Sequence, residues 1–155
     1  MNATVLDTNV LLALWLFRDP AVEALRAALD AGLLQAVRSA ATDAEFAEVL
    51  GRPELFSVAP ERQATLLNAW QAASSPVDAI QSAPWVCRDP LDQKFLDLAV
   101  SAGASWLITR DRDLLKLNLW EGDKVFLPLL RRRGHFSGKF HYKNGKLAGY
   151  SVEKY

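Results

Sequence analysis

Short apolar runs alternate with segments of helical spacing along most of this chain, and no other feature restricts its fold as much. Thr4-Val5-Leu6 is followed by an apolar helical stretch from Val10 to Trp15, and Val22, Leu25, Ala28 and Leu29 recur at helical spacing before Gly32. Leu34 to Val37 reads as a second strand. Behind it, Phe46, Val49 and Leu50 form the stripe of a helix opened by Thr42-Asp43-Ala44-Glu45, and Glu61 to Ala73 gives a further helix that Ser74-Ser75-Pro76 breaks. Trp85-Val86-Cys87 has room only for a brief strand. Asp89-Pro90 is a strong helix start, with Asp as N-cap and proline at the first helical position; Phe95, Leu98, Ala99 and Ala102 mark the buried face and Gly103 the stop. Trp106 to Thr109 and Val125-Phe126-Leu127 complete the set of core strands. Strands without a polar face must be covered on both sides, and strands joined through helices run parallel. The sequence therefore predicts an α/β fold, a three-layer α/β/α sandwich around a mostly parallel sheet.

A chain of 155 residues, 50% apolar and 23% charged, suits one domain with a single core and is unlike a disordered segment. Its longest apolar stretches fall far short of the roughly 20 residues that span a bilayer, and its start lacks a basic segment followed by an apolar signal core. The expectation is a cytoplasmic protein without a membrane partner. Cys87 is the only cysteine, which leaves no internal disulfide and no thiolate cluster for zinc. The net charge of zero hides a division. Residues 131–155 carry Arg131, Arg132, Arg133, Lys139, Lys143, Lys146 and Lys154 against Glu153; of 18 basic and 18 acidic side chains, 11 and 17 are then left for the rest. A basic tail on an acidic body suits a polyanionic partner, because Lys and Arg displace counterions from a phosphate chain; it also suits plain solvation. Within the tail, Asn144-Gly145 between two alternating runs is a strong hairpin signal. Two segments are expected, a core domain over 1–133 and a basic β-hairpin extension over 134–155.

Four acidic positions fall where such a fold gathers them. Asp7 ends the first strand and Asp111 follows the strand through Thr109, while Glu45 and Asp92 lie in the first turns of their helices. In a right-handed α/β winding, strand ends and the starts of the following helices share one edge of the sheet. Asp92 leans toward the sheet, whereas Asp97 should face solvent. Each position also has a plain structural use. Asp7, Thr8 or Asn9 can cap a helix, Thr42 and Glu45 match a capping box, Asp89 caps its own helix, and Asp111 or Asp113 can cap the turn through Leu114. Several carboxylates at one edge nevertheless repel one another unless a cation joins them, and an all-oxygen set favours Mg²⁺ or Mn²⁺ over zinc or copper.

In order along the chain, Val5-Leu6-Asp7-Thr8-Asn9-Val10-Leu11, Ser39 with Glu45-Phe46-Ala47-Glu48-Val49-Leu50, Cys87-Arg88-Asp89-Pro90-Leu91-Asp92-Gln93-Lys94-Phe95-Leu96 and Leu107-Ile108-Thr109-Arg110-Asp111-Arg112-Asp113-Leu114 resemble the PIN domain, from residue 1 to about Pro128. Within that family the chain is most similar to the toxin components of bacterial toxin–antitoxin systems. The resemblance implies a Mg²⁺- or Mn²⁺-dependent endoribonuclease that cleaves single-stranded RNA by two-metal-type phosphodiester hydrolysis, often dimeric and often held inactive by a cognate antitoxin. It matches Asp7, Glu45, Asp92 and Asp111 to the acidic quartet, with Asp7, Asp92 and Asp111 as metal ligands. Asp113 becomes an accessory acid and Asn9 and Thr109 polar supports, with Asp89 in the same supporting group. Arg131, Arg132, Arg133, Lys139 and Lys143 are candidate RNA contacts in the tail. Two other readings stay open. An aspartyl phosphatase would want an acid two residues after Asp7, where this chain has Asn9. A non-catalytic RNA- or antitoxin-binding module would bind without cutting.

Overall fold

Strands β1 (Asn2–Leu6), β2 (Leu34–Arg38), β3 (Ser74–Pro76) and β4 (Trp106–Ile108) form one sheet in the order β3-β2-β1-β4, every neighbouring pair parallel. The computed structural model describes residues 2–54 and 57–110, and the strand backbone of 136–143 and 146–154. Register pairs Val5 with Val37 on one side and with Leu107 on the other. The twofold alternation of a strand then divides its residues between two faces. Leu6 and Ala36 join a core with Val10, Leu11, Leu14, Phe46, Leu50, Leu66 and Trp70, while Val5 and Val37 join a second with Phe95 and Leu98. Burial on both faces is why these strands show no polar alternation.

Helices α1 (Thr8–Leu11), α2 (Glu23–Asp30), α3 (Ala40–Leu50) and α4 (Pro60–Ala72) line the first face, and α5 (Gln93–Ser101) lines the second. Strand order explains the division. The chain steps in one direction from β1 through β2 to β3, then returns past β1 to reach β4. Right-handed crossovers in opposite directions place their helices on opposite faces. The three-layer arrangement is thus the one the sequence predicts. Gly32 (φ 68°) and Gly103 (φ 56°) lie just past the ends of α2 and α5, in the left-handed conformation that glycine adopts without strain.

Four local expectations are corrected. The apolar helix through Trp15 is α-helical only over Thr8–Leu11; Leu12–Leu16 is a π turn, closed by Phe17 N donating to Leu12 O at 2.9 Å. Ser74-Ser75-Pro76 ends α4 and is also the edge strand β3, joined to β2 by Gln35 Nε2 donating to Ser75 Oγ at 2.9 Å. An edge strand needs little apolar surface and tolerates proline, so it carries almost no periodic signal. Trp85-Val86-Cys87 forms no strand. Gln93 pins it as a loop, accepting from Cys87 N at 2.7 Å and donating to Trp85 O at 3.0 Å, and Val86 is left 87% exposed. Asp97 is half-buried instead of facing solvent, because it accepts from Ala83 N at 2.8 Å and Gln93 Nε2 at 3.0 Å.

The chain divides into two compact units, Met1–Leu115 and Lys116–Tyr155. In the second, β5 (Phe136–Lys143) pairs antiparallel with β6 (Lys146–Lys154) from Phe136↔Lys154 to Lys143↔Lys146, with an irregularity between His141 and Tyr142. This is the hairpin expected around Asn144-Gly145. The strand expected at Val125-Phe126-Leu127 lies outside the described residues. Among the described residues no helix is long and apolar enough to cross a membrane.

Candidate functional site

Because all four strands of the sheet run parallel, their carboxyl ends share one edge. Asp7 follows β1 there, Ser39 follows β2, and Thr109 and Arg110 follow β4. The reversal of chain direction falls between β1 and β4, where an open α/β sheet forms its binding crevice. Asp7 stands at that point and is 3% exposed. Its Oδ1 accepts from Val10 N at 2.8 Å, so Asp7 itself caps α1 in place of Thr8 or Asn9. Its Oδ2 accepts from the Thr109 hydroxyl and, at 3.3 Å, from Arg110 N. Its backbone N–H donates to Ile108 O at 3.1 Å, carrying the β1–β4 pairing one residue further. The guanidinium of Arg110 reaches Asp19 Oδ2 at 2.9 Å and ties the end of β4 to the turn after the π helix. The Ala21 N–H, and after it Arg110, hold the Asp19 carboxyl below its ordinary value.

Glu45 reaches the same edge from α3. Ser39 and Thr42 form the reciprocal cap of this helix, Ser39 N donating to Thr42 Oγ1 at 2.9 Å and Thr42 N to Ser39 Oγ at 3.3 Å. The capping box expected between Thr42 and Glu45 is thereby displaced three residues toward the N-terminus. Glu45 does not fold back on the helix start. Its Oε1 accepts from Thr8 Oγ1 at 2.6 Å, and its Oε2 pairs with Lys94 Nζ. Thr8 adjoins Asp7, so one hydroxyl links the surroundings of the two acids.

Asp92 is half-buried and closes the 3₁₀ turn Pro90–Asp92 that leads into α5. Asp89 caps that turn, accepting from Leu91 N at 2.9 Å, and is exposed. Asn9 is exposed on α1, and Thr109 is half-buried with its hydroxyl on Asp7. Cys87 is buried; desolvation pushes its thiol up, and the charges of Asp92 and Asp89 push it the same way, so it is no ready nucleophile. Asp111, Asp113, Arg131, Arg132 and Arg133 lie outside the described residues, and Lys139 and Lys143 fall in β5, described by its strand pairing. Among the described residues no three Asp, Glu, His or Cys side chains close around a common point that would hold a metal ion. Asp7 and Glu45 are brought to one edge through Thr8, and Asp92 stands at the start of the helix that supplies Lys94. Sequence reasoning passed over Thr8, Lys94 and Arg110 as parts of this edge. The available signal was that each adjoins, or lies two residues from, a singled-out acid.

The fold and its edge define an open parallel α/β domain with a buried carboxylate at the switch point of the sheet. The chain belongs to the PIN domain family, whose model matches residues 3–113. Members of this family are generally nucleases. No curated protein matches the chain.

Proposed function

We propose that the chain is a Mg²⁺- or Mn²⁺-dependent endoribonuclease that cuts single-stranded RNA, and that it serves as the toxin of a toxin–antitoxin pair, with a cognate antitoxin and a homodimer as its protein partners. The observation that carries the reading is Asp7: a carboxylate 3% exposed, at the switch point between β1 and β4, with donors from α1 and from the end of β4 fixing both oxygens. A buried acid held this firmly is expensive for a mere cap, which an exposed Ser or Thr provides as well. The donor set also suits the ion. Asp7, Glu45 and Asp92 offer only oxygen, and hard divalent cations take oxygen ligands.

When bound, such an ion lowers the pKa of a coordinated water and offsets charge growing on the phosphoryl oxygens. The chain's own residues do the placing. Thr109, Val10 N and Arg110 N fix the carboxylate of Asp7 and Thr8 orients Glu45, while Asp92 and Asp111 would complete the acidic set. The basic residues of the tail, Arg131 to Arg133 with Lys139 and Lys143, would meet RNA phosphates. Water would add its oxygen to phosphorus as the bond from phosphorus to the ribose 3′-oxygen breaks and that oxygen takes up a proton, leaving one product with a 5′-phosphate and the other with a 3′-hydroxyl.

Asp7→Asn tests the reading. Asparagine keeps the cap on Val10 N but turns an NH₂ toward the Thr109 hydroxyl and the Arg110 N–H. The variant should stay folded while melting up to roughly 10 °C below the wild type, and cleavage is compared at a temperature where both are folded. Cleavage of a labelled single-stranded RNA in Mn²⁺ should fall at least about a thousandfold. Wild-type rates in that variant would end the proposal, and binding of the RNA without any cut by the wild type would favour the non-catalytic module.

A further inference from the structure

Lys94 brings a cation to the carboxylate edge. It and Glu45 lie 49 positions apart in sequence, on helices that cover opposite faces of the sheet, yet Lys94 Nζ pairs with Glu45 Oε2. The two side chains are 23% and 21% exposed, which makes this a sheltered pair and not a solvated one. The same ammonium stands 5.6 Å from the centre of the Phe95 ring. Glu45 is held from two directions, by the hydroxyl of Thr8 next to Asp7 and by the ammonium two residues beyond Asp92. Lysine is a compact charge on a flexible stem, able to hold a carboxylate and to withdraw from it, where arginine would clamp it with a planar fork.

We propose that Lys94 is a built-in counter-cation of this edge: its ammonium holds Glu45 in the metal-free protein and competes with a divalent ion for that carboxylate. Lys94 is then a positioning residue, acting on the site through Glu45. The inference rests on the reading of the edge as a divalent-cation site. Its physical content is that an ammonium and a doubly charged ion repel when they share one acidic partner, so affinity for the ion is set partly by a residue that never binds it.

Mn²⁺ titration by calorimetry, run beside metal-free thermal melts, separates the cases. Lys94→Met keeps the stem and removes the charge. Its Mn²⁺ Kd should tighten roughly three- to tenfold, the gain from removing one nearby positive charge under partial screening. Its metal-free Tm should drop below the wild-type value, and the gap should narrow at saturating Mn²⁺, because tighter binding stabilises the variant more. Lys94→Arg keeps the charge and clamps Glu45 harder, so it should bind Mn²⁺ no more tightly than the wild type. If Lys94→Met is too unstable to titrate, Lys94→Gln keeps a donor for Glu45 and should show the same tightening. Unchanged or weaker Mn²⁺ binding in the uncharged variants, with Asp7→Asn abolishing it, overturns the role of Lys94 and leaves the metal reading standing. A wild-type protein that binds no Mn²⁺ overturns both.

Discussion

Asp43 and Glu45 lie two residues apart on α3, each half-buried and each paired with a basic side chain, and the chain uses them differently. Residues two apart on a helix point to nearly opposite sides. Asp43 turns toward β2 and α4, where Arg38 Nη1 meets its Oδ2 at 2.6 Å and Trp70 Nε1 donates to its Oδ1 at 2.9 Å. Those side chains of Arg38 and Asp43 are 20% and 15% exposed, slightly more sheltered than Lys94 and Glu45 at 23% and 21%. Trp70 is fully buried and packs edge-on against Trp15, with ring centres 5.4 Å apart. Asp43 thus fastens the first-face core with rigid, planar partners. Glu45 instead accepts from the Thr8 hydroxyl and pairs with the flexible ammonium of Lys94. On the proposed reading, burial and pairing do not distinguish the structural acid Asp43 from the site acid Glu45; the rigidity of their partners does.

Substituting each acid by its amide is the most direct way to break that comparison. Glu45→Gln should lower RNA cleavage on the order of a hundred- to a thousandfold while costing about 1–2 kcal/mol of stability, less than the Asp43 variant because the flexible stem of Lys94 can carry its ammonium toward solvent. Asp43→Asn should cost about 2–3 kcal/mol in a urea titration, because it leaves Arg38 sheltered without its counter-charge, and should leave the cleavage rate of the folded protein within about threefold of wild type. Loss of cleavage in folded Asp43→Asn would erase the distinction.

A smaller effect comes from the cap that places Glu45. Ser39→Ala removes the acceptor for Thr42 N and should cost about 1 kcal/mol, with a cleavage deficit well below that of Glu45→Gln. Were the deficit as large, the start of α3 and not the Glu45 carboxylate would govern activity.

The smallest effect concerns pH. The Asp19 carboxyl is held below its ordinary value of 3.8 by the Ala21 N–H and by Arg110. The folded state therefore favours the ionised form, and between the two values the unfolded chain binds more protons. The resulting stability is present above pH 3.8 and is lost as pH falls through the folded value. Urea midpoints of Asp19→Asn should accordingly decline less steeply with acid than those of the wild type. Parallel declines would show that neither the Ala21 N–H nor Arg110 favours the ionised Asp19 in the folded state.

Much of this arrangement was legible in the order of residues. The apolar runs at β1, β2 and β4, the proline start of the turn before α5, the glycine ends of α2 and α5 and the Asn-Gly hairpin all carry local chemistry that a strand, cap or turn requires. Where reading failed, the signal was not local. β3 is polar because an edge strand has one partner, and the segment at Trp85 looks like a strand because apolar residues also fill loops held by one glutamine. Asp97 looks solvent-facing on a helical wheel, yet a neighbouring loop covers it.

By itself, the sequence determined the parallel α/β sandwich, because winding and chirality leave few alternatives once strands and helices alternate. Only the tertiary structure decided what each acid meets. It moved the cap of α3 from Glu45 to Ser39 and Thr42, gave Asp7 its donors from the end of β4, and set Lys94 against Glu45 from the opposite face of the sheet. Such pairings join residues dozens of positions apart, and a hydrogen bond depends on distances of a few tenths of an ångström that no spacing in the sequence encodes.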